Sequence, residues 1–183
     1  TLLIAKYQKQ KSLLITSTYS GEGKTTVALN ISLAFSKIGK VLLIETDIRR
    51  PSVLNLINRE DMRKDGGGFS DLIQGKVEFS NTILNIPGAE IDLMTSGSRR
   101  SDLTDLTTPK QLKEFFDHLK TSYDYVVLDT PPIQPVSDTL FLSQATDHNV
   151  IIARAKFTKL AGITSAIKKL KNVNVKVDGI IFN

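Results

Sequence analysis

The stretch SLLITSTYSGEGKTT, residues 12–26, decides the fold. Residues 12–17 form a short apolar run of the kind found in a buried strand, and a helical spacing of apolar residues follows over 27–38. Two glycines lie in the loop between them, just before Lys24. Glycines allow successive backbone N–H groups to point inward, and the following helix adds the positive end of its dipole. This order of strand, loop and helix predicts a phosphate-binding loop.

Apolar runs and helical patterns alternate along the rest of the chain. The runs predicted as strands are 41–44, 81–86, 91–95, 125–128, 149–153 and 175–182. The patterns predicted as the main later helices are 109–120, 137–145 and 159–170. Continuous apolar strands between helices predict an α/β fold, with a mostly parallel central sheet and helices on both faces. The carboxyl ends of its strands then share one edge, where ligands bind.

Two further strand ends carry acidic residues. In VLLIETDIRR, residues 41–50, the apolar run is followed by the acids Glu45 and Asp47. In YVVLDTPP, residues 125–132, it is followed by Asp129. Because these strands end at the edge that holds the phosphate loop, we expect their carboxylates to face the bound phosphates. Mg²⁺ takes few protein carboxylates and keeps several waters, so one acid of the first pair can reach the ion through water. The other acid is then left to accept a proton from a substrate hydroxyl.

Composition excludes several classes of protein. The chain of 183 residues contains no Cys, which rules out a disulfide scaffold, a thiolate zinc site and a Cys nucleophile. No apolar run approaches the ~18 residues that span a bilayer, so we expect a soluble domain. The net charge is +5, and seven basic residues lie between 154 and 176 without an acid. Such a stretch could meet anionic lipid, nucleic acid or an acidic partner, but a solvated helix face is favoured.

Three motifs together resemble the bacterial tyrosine kinase family. They are GEGKTT at 21–26, LLIETDIRRPS at 42–52 and VVLDTPP at 126–132, in this order and at these separations. In that family the motifs are called Walker A, Walker A′ and Walker B, and the domains serve polysaccharide co-polymerase systems for capsule and exopolysaccharide export. The resemblance implies a P-loop NTPase-like fold. It also implies transfer of the γ-phosphoryl group from ATP, with Mg²⁺, to tyrosines of a neighbouring subunit.

The resemblance also implies a role for each matching residue. Those implied to bind the nucleotide are Ser20, Gly21, Glu22, Gly23, Lys24, Thr25 and Thr26, with Asn183 near the adenine. The implied Mg²⁺ ligands are Thr25, Asp47 and Asp129, and the implied catalytic residues are Lys24, Glu45 and Asp47. Glu45 would orient or deprotonate the tyrosine hydroxyl. The family usually has Asp at this position, so Glu45 is a departure from its pattern.

The implied setting is larger than the sequence itself. We expect residues 1–183 to be a single catalytic domain, with the family's N-terminal oligomerisation motif and tyrosine-rich C-terminal tail outside it. The implied partners are further copies in a ring, a transmembrane co-polymerase segment and the tail of a neighbouring subunit, with no nucleic acid. The implied location is the cytoplasmic side of the bacterial inner membrane.

Two other functions remain open at this point. One is a switch ATPase of the partitioning or division-site type, which would suit the basic stretch at 154–176. Those proteins carry a signature lysine five residues before the loop lysine, where this chain has Tyr19. The other is a non-catalytic nucleotide-binding module, which the retained Lys24, Asp47 and Asp129 disfavour but Glu45 keeps open.

Overall fold

The computed structural model describes residues 11–62, 67–86, 88–98, 103–134 and 137–183. The strands in these ranges are β1 Ser12–Ser17, β2 Val41–Glu45, β3 Ile83–Asn85, β4 Ile91–Met94, β5 Tyr125–Asp129, β6 His148–Ala153 and β7 Gly179–Phe182. The α-helices are α1 Lys24–Phe35, α2 Val53–Leu56, α3 Phe69–Ile73, α4 Pro109–Ser122, α5 Asp138–Ser143 and α6 Leu160–Asn172. Short 3₁₀ turns cover Glu60–Met62, Phe79–Thr82 and Leu103–Asp105.

The strands of the described ranges form one sheet in the order β3-β4-β2-β5-β1-β6-β7. Every neighbouring pair is parallel except β3 and β4, which run antiparallel at one edge. The predicted α/β class and mostly parallel sheet are therefore confirmed. The strand predicted at 81–86 is shorter than expected, because a 3₁₀ turn takes its first residues.

The central strands are mostly apolar because helices cover both faces of the sheet. On one face Leu13, Leu43 and Val127 pack with α1 and α2. On the other, Leu14 and Leu42 pack with α4 and α5. Consecutive strand residues point to opposite faces, so a strand buried on both sides reads as an unbroken apolar run.

The order of the central strands positions the candidate site. β5 lies between β1 and β2, so the loops that leave the three carboxyl ends are neighbours. The register of β2 and β5 places Glu45 directly opposite Asp129. The loop after β1 leads into α1, whose N-terminus therefore lies beside both acids.

The start of α4 illustrates how local sequence sets an element. The Thr108 hydroxyl accepts a hydrogen bond from the Gln111 amide at 3.3 Å, and the Gln111 side chain accepts one from the Thr108 amide at 2.9 Å. Pro109 occupies the first helical position, where its missing N–H costs nothing. This reciprocal cap fixes the helix start that the sequence predicts at 109.

The helices of the described ranges are too short or too polar to cross a lipid bilayer. The predicted single domain also includes residues 1–10, which lie outside the described residues. That domain boundary stays a prediction.

Candidate functional site

A cavity of about 540 Å³ opens where β1, β2 and β5 end. Its lining residues are Ser20, Gly21, Gly23, Lys24, Thr25, Thr26, Asp47, Arg50, Ser52, Asn55, Leu56, Asp129 and Thr130. Eight of these residues are predicted site residues, so the structure brings the greater part of the predicted site together. Three predicted residues, Glu22, Glu45 and Asn183, are outside this lining.

The glycines of the loop after β1 are required by its shape. Gly21 and Gly23 have φ angles of 82° and 86°, a left-handed conformation that side chains other than glycine disfavour. A Cβ on Gly23 would also lie 2.0 Å from Asn183 Nδ2. Gly23 caps α1 without a side-chain hydrogen bond, which leaves the first amides of this helix for a ligand. An N-terminus of this kind favours anions.

Lys24 is a cation held among acids. It is the first residue of α1 and is only 8% exposed. Burial lowers the pKa of Lys24 from its ordinary value, and the charges of Asp129, Asp47 and Glu22 partly oppose that shift. A lysine in this position meets a phosphate at little further cost in lost hydration, because the protein has already removed much of its water.

Asp129 has an oxygen with unmet bonding capacity. Its Oδ2 accepts a hydrogen bond from the Thr25 hydroxyl at 2.7 Å. Its Oδ1 is buried and has no hydrogen-bond partner in the part of the chain that the structure describes. Burial raises the pKa of Asp129 to about 7, against the opposing effects of the Thr25 hydrogen bond and the Lys24 charge. A cation beside this carboxylate would satisfy the free oxygen and favour its ionised form.

Glu45 is not among the residues that line the cavity. Its Oε1 accepts hydrogen bonds from the Ser52 amide at 2.5 Å and the Val53 amide at 2.8 Å. The side chain is 2% exposed, and it binds the amides at the start of α2. A carboxylate in this position stabilises a helix N-terminus. The predicted part of Glu45 in proton transfer stays a prediction, and its contacts in the structure are those of a cap.

Asp47, two residues later, borders the cavity. Its Oδ1 accepts hydrogen bonds from the amides of Arg50 at 2.9 Å and Arg49 at 3.2 Å, which form a tight turn. This turn sends the two arginine side chains in different directions. Arg49 pairs with the buried Asp138 at 2.7 Å, whereas Arg50 reaches the Ser20 hydroxyl at 3.4 Å. Arg50 therefore spans the cavity mouth.

Asn183 and Glu22 contact the phosphate loop from outside the cavity. The Asn183 side chain donates to the Glu22 carbonyl at 3.3 Å, and its backbone continues the pairing with β6. The Glu22 side chain is fully buried and accepts from the Tyr19 amide at 2.6 Å. The predicted position of Asn183 near an adenine stays a prediction. What the structure shows is the contact of the Asn183 side chain with the backbone of the phosphate loop at Glu22.

Sequence reasoning missed five lining residues. Three of them lie within quoted motifs, Arg50 and Ser52 in LLIETDIRRPS and Thr130 in VVLDTPP, so their positions near Asp47 and Asp129 could have drawn notice. Asn55 and Leu56 carry no such signal, because they read as ordinary residues of a short helix. They reach the cavity only because α2 folds back over the end of β2.

Comparison with known proteins agrees with this architecture. A family model described as an AAA domain (AAA_31) matches residues 10–181. The tyrosine-protein kinase YwqD of Bacillus subtilis is 30% identical over 96% of this chain and 73% of its own length. A putative tyrosine-protein kinase from the cps region of Klebsiella pneumoniae is also 30% identical, over 93% of this chain but 23% of its own length. The chain thus spans about three quarters of one relative and under a quarter of the other.

Comparison with solved structures indicates the same fold. The kinase domain of VpsO superposes with a TM-score of 0.89 at 29% identity, covering 100% of this chain and 88% of that one. The septum site-determining protein MinD of Pyrococcus horikoshii, solved with Mg-ADP, has a TM-score of 0.75 at 20% identity, over 95% of this chain and 70% of that one. The second likeness concerns the fold alone. Together these neighbours show that the sheet and loop are those of a P-loop nucleotide-binding fold.

Proposed function

Because the chain belongs to the AAA_31 AAA-domain family and, with YwqD, to the bacterial tyrosine kinases, we propose that it transfers the γ-phosphoryl group of ATP to tyrosine hydroxyls. One observation carries this proposal. The glycine loop, Lys24 and the unpartnered oxygen of Asp129 all meet at a single cavity of about 540 Å³. A metal-bound triphosphate needs this combination of amide donors, a cation and a free carboxylate oxygen.

The nucleotide would bind along the phosphate loop. Residues 20–26 supply backbone amides and the first turn of α1, and Lys24 supplies a full positive charge for the outer phosphates. The Thr25 hydroxyl and Asp129 Oδ1 suit Mg²⁺, which prefers oxygen ligands and takes few from the protein, and Asp47 would reach the ion through water, which leaves its carboxylate able to accept a proton. The described residues contain no group of three acidic or histidine side chains that could hold a metal alone, so phosphate oxygens and water would complete its shell. When bound, Mg²⁺ would neutralise charge that develops on the phosphoryl group.

The acceptor tyrosine would lie beside the lining residues that follow β2. Arg50, Asn55 and Leu56 are among them, and Leu56 is 43% exposed, which suits contact with an aromatic ring. Of the two acids at the end of β2, Asp47 is the one that borders the cavity. We therefore assign to Asp47 the orientation or deprotonation of the tyrosine hydroxyl, and to Glu45 the support of the turn that carries Arg50 and Ser52.

We propose a single catalytic domain that acts within a ring of identical subunits, beside a transmembrane co-polymerase segment at the cytoplasmic face of the bacterial inner membrane. The acceptor would be the tyrosine-rich tail of a neighbouring subunit, and the process would be capsule or exopolysaccharide export. Names of relatives, such as the Klebsiella protein of the cps region, support this setting.

The test is phosphotyrosine formation by the 183-residue chain with ATP and Mg²⁺. A peptide that bears several tyrosines serves as acceptor, and Lys24→Met serves as the inactive control. We expect incorporation into the peptide that requires ATP, Mg²⁺ and Lys24. Binding of ATP without any phosphotyrosine, at every acceptor concentration tried, would contradict the proposal.

A switch ATPase is the second candidate function. Its support is the fold likeness to MinD together with exposed lysines at 156, 159, 168 and 171. This candidate predicts nucleotide-dependent dimerisation and ATP hydrolysis that anionic vesicles or DNA stimulate, with no phosphotyrosine. Measurement of released phosphate and phosphotyrosine in the same reaction separates the two functions.

A further inference from the structure

The turn between β6 and α6, residues 154–159, packs against the back of the phosphate loop. The Thr158 hydroxyl donates a hydrogen bond to Glu22 Oε1. The Thr158 hydroxyl oxygen in turn accepts a hydrogen bond from the Arg154 amide at 2.7 Å. Because that amide occupies one side of the hydroxyl oxygen, the Thr158 proton is directed at the carboxyl group of Glu22.

Glu22 needs this partner because of where it lies. It stands in a loop whose amides face phosphates, and its own negative charge would repel them if the side chain turned toward the cavity. The structure instead holds both of its carboxyl oxygens on the far side. Oε2 accepts from the Tyr19 amide at 2.6 Å, and Oε1 accepts from Thr158. The side chain is fully buried in this position.

Further contacts join the same turn to the loop. Arg154 Nη1 donates to the Gly21 carbonyl at 3.1 Å. Gly162, in the first turn of α6, packs so closely that a Cβ there would lie 2.8 Å from Thr18 Cγ2 and 3.1 Å from Tyr19 Cε2. The phosphate loop is thus held by a segment more than 130 residues away in sequence.

We propose that Thr158 is a positioning residue for nucleotide binding: through Glu22 it holds the phosphate loop in the conformation that accepts phosphates. The proposal rests on the proposed function, since it assumes that this loop binds a nucleotide. Thr158 lies outside the cavity and acts only through Glu22. Nucleotide affinity should therefore depend on its hydroxyl, and the loss should pass through the carboxyl group of Glu22.

The decisive variant is Thr158→Val, which keeps the shape of the side chain and removes its donor. A buried carboxyl oxygen then loses its partner, and Glu22 can turn toward the amides that bind phosphate. We expect the Kd for ADP with Mg²⁺ to rise about tenfold, the size of effect that one lost hydrogen bond to a charged group produces. Thr158→Ser restores the hydroxyl and should restore affinity. In a Glu22→Ala background, Thr158→Val should add little, because its partner is already absent.

Calorimetric titration of ADP and Mg²⁺ into these variants tests the proposal. Thr164→Val is the matched control, since the hydroxyl of this exposed threonine of α6 donates within its own helix, to the Leu160 carbonyl at 3.1 Å. Amide hydrogen exchange over residues 18–26 of the nucleotide-free protein gives a second readout, which should quicken in Thr158→Val and not in the control. Wild-type affinity and exchange in Thr158→Val would overturn this proposal alone. Failure of the wild-type protein to bind ADP would overturn the proposed function, and this proposal with it.

Discussion

The two ends of the central sheet carry cavities of similar size and different chemistry. The cavity at the carboxyl ends, about 540 Å³, contains Lys24 and Asp129. A cavity of about 590 Å³ lies at the opposite end, where β6 and β7 begin, and is bordered by Asp147, His148 and Asp178. Both contain charged groups, so neither volume nor charge distinguishes them.

The difference lies in how those groups are satisfied. At the amino end Lys120 Nζ lies 2.7 Å from Asp147 Oδ2, which also accepts from the Ser12 amide at 2.9 Å. Among the described residues His148 Nδ1 has no hydrogen-bond partner, but it lies 3.5 Å from Asp178 Oδ2. At the carboxyl end the pKa of Lys24 is lowered, and Asp129 keeps an oxygen without a partner in the described ranges. A buried carboxylate oxygen without a partner, beside open helix amides, marks a binding site, whereas acids that are paired with cations and amides mark a structural one.

The largest expected effect concerns Lys24, the buried lysine at the carboxyl end of the sheet. Lys24→Met should lower phosphotyrosine formation by at least about 100-fold, because it removes a charge that faces the transferred group. The melting temperature should stay level or rise, since burial already disfavours the charge of Lys24 in the folded protein. Rates of phosphotyrosine formation and thermal unfolding of the same preparation check both statements. Retained activity in a pure sample would remove the phosphate loop from the mechanism.

A second prediction separates the two acids at the end of β2. Asp47→Asn should slow phosphoryl transfer by about 100-fold, since an amide cannot take a proton from tyrosine. Glu45→Gln should slow it far less, because the amide oxygen of Gln can still accept from the Ser52 and Val53 amides. Single-turnover rates at saturating ATP give the comparison, and a parallel Kd for ADP separates transfer from binding. If Glu45→Gln proved the slower variant, Glu45 would regain the role of base that the family resemblance implies.

A third prediction concerns the amino end. Lys120→Met should lower the free energy of unfolding by about 1–3 kcal/mol, because it leaves Asp147 without its charged partner in a largely buried position. Phosphotyrosine formation by the folded variant should not change, since Lys120 lies at the other end of the sheet from the phosphate loop. Urea unfolding supplies the free energy, and an activity loss like that of Lys24→Met would break the contrast between the two ends.

Much of this contrast could be predicted from local sequence. Unbroken apolar runs specify strands buried on both faces, and the acids that follow them identify one edge of the sheet. The glycines before Lys24 identify the phosphate loop, because its backbone has two residues in the left-handed conformation that glycine adopts most readily. These features are encoded within ten or fifteen residues, so they can be read without the fold.

What sequence could not supply depends on contacts between distant segments. Glu45 and Asp47 are both acids at a strand end, and their different roles arise because the amides of Ser52 and Val53 return to Glu45. The antiparallel direction of β3 likewise follows from its pairing with β4 and from no pattern of its own. The bond between Thr158 and Glu22 joins residues 136 positions apart, so no local motif contains it.

The smallest expected effect tests the pairing at the amino end through pH. Burial acts to raise the pKa of Asp147, but hydrogen bonds from Lys120 and Ser12 outweigh it, and the pKa lies below its ordinary value. Because the pKa of Asp147 is lower in the folded protein, the unfolded chain takes up this proton at a higher pH than the folded protein does. The stabilisation by Asp147 is therefore complete above about pH 4, the unfolded value, and is lost as the pH falls below it.

Asp147→Asn removes that titration while its amide oxygen can still accept from Ser12. The variant should be less stable than the wild-type protein near neutral pH, and this difference in the free energy of unfolding should shrink as the pH falls below about 4. Urea unfolding at a series of pH values measures it, with Glu90→Gln as a control at an exposed acid. A difference that stayed constant across the series would mean that Asp147 contributes hydrogen bonds alone. The charges at the amino end would then be tolerated by the fold without stabilising it, and the contrast with the carboxyl end would rest on Lys24 and Asp129.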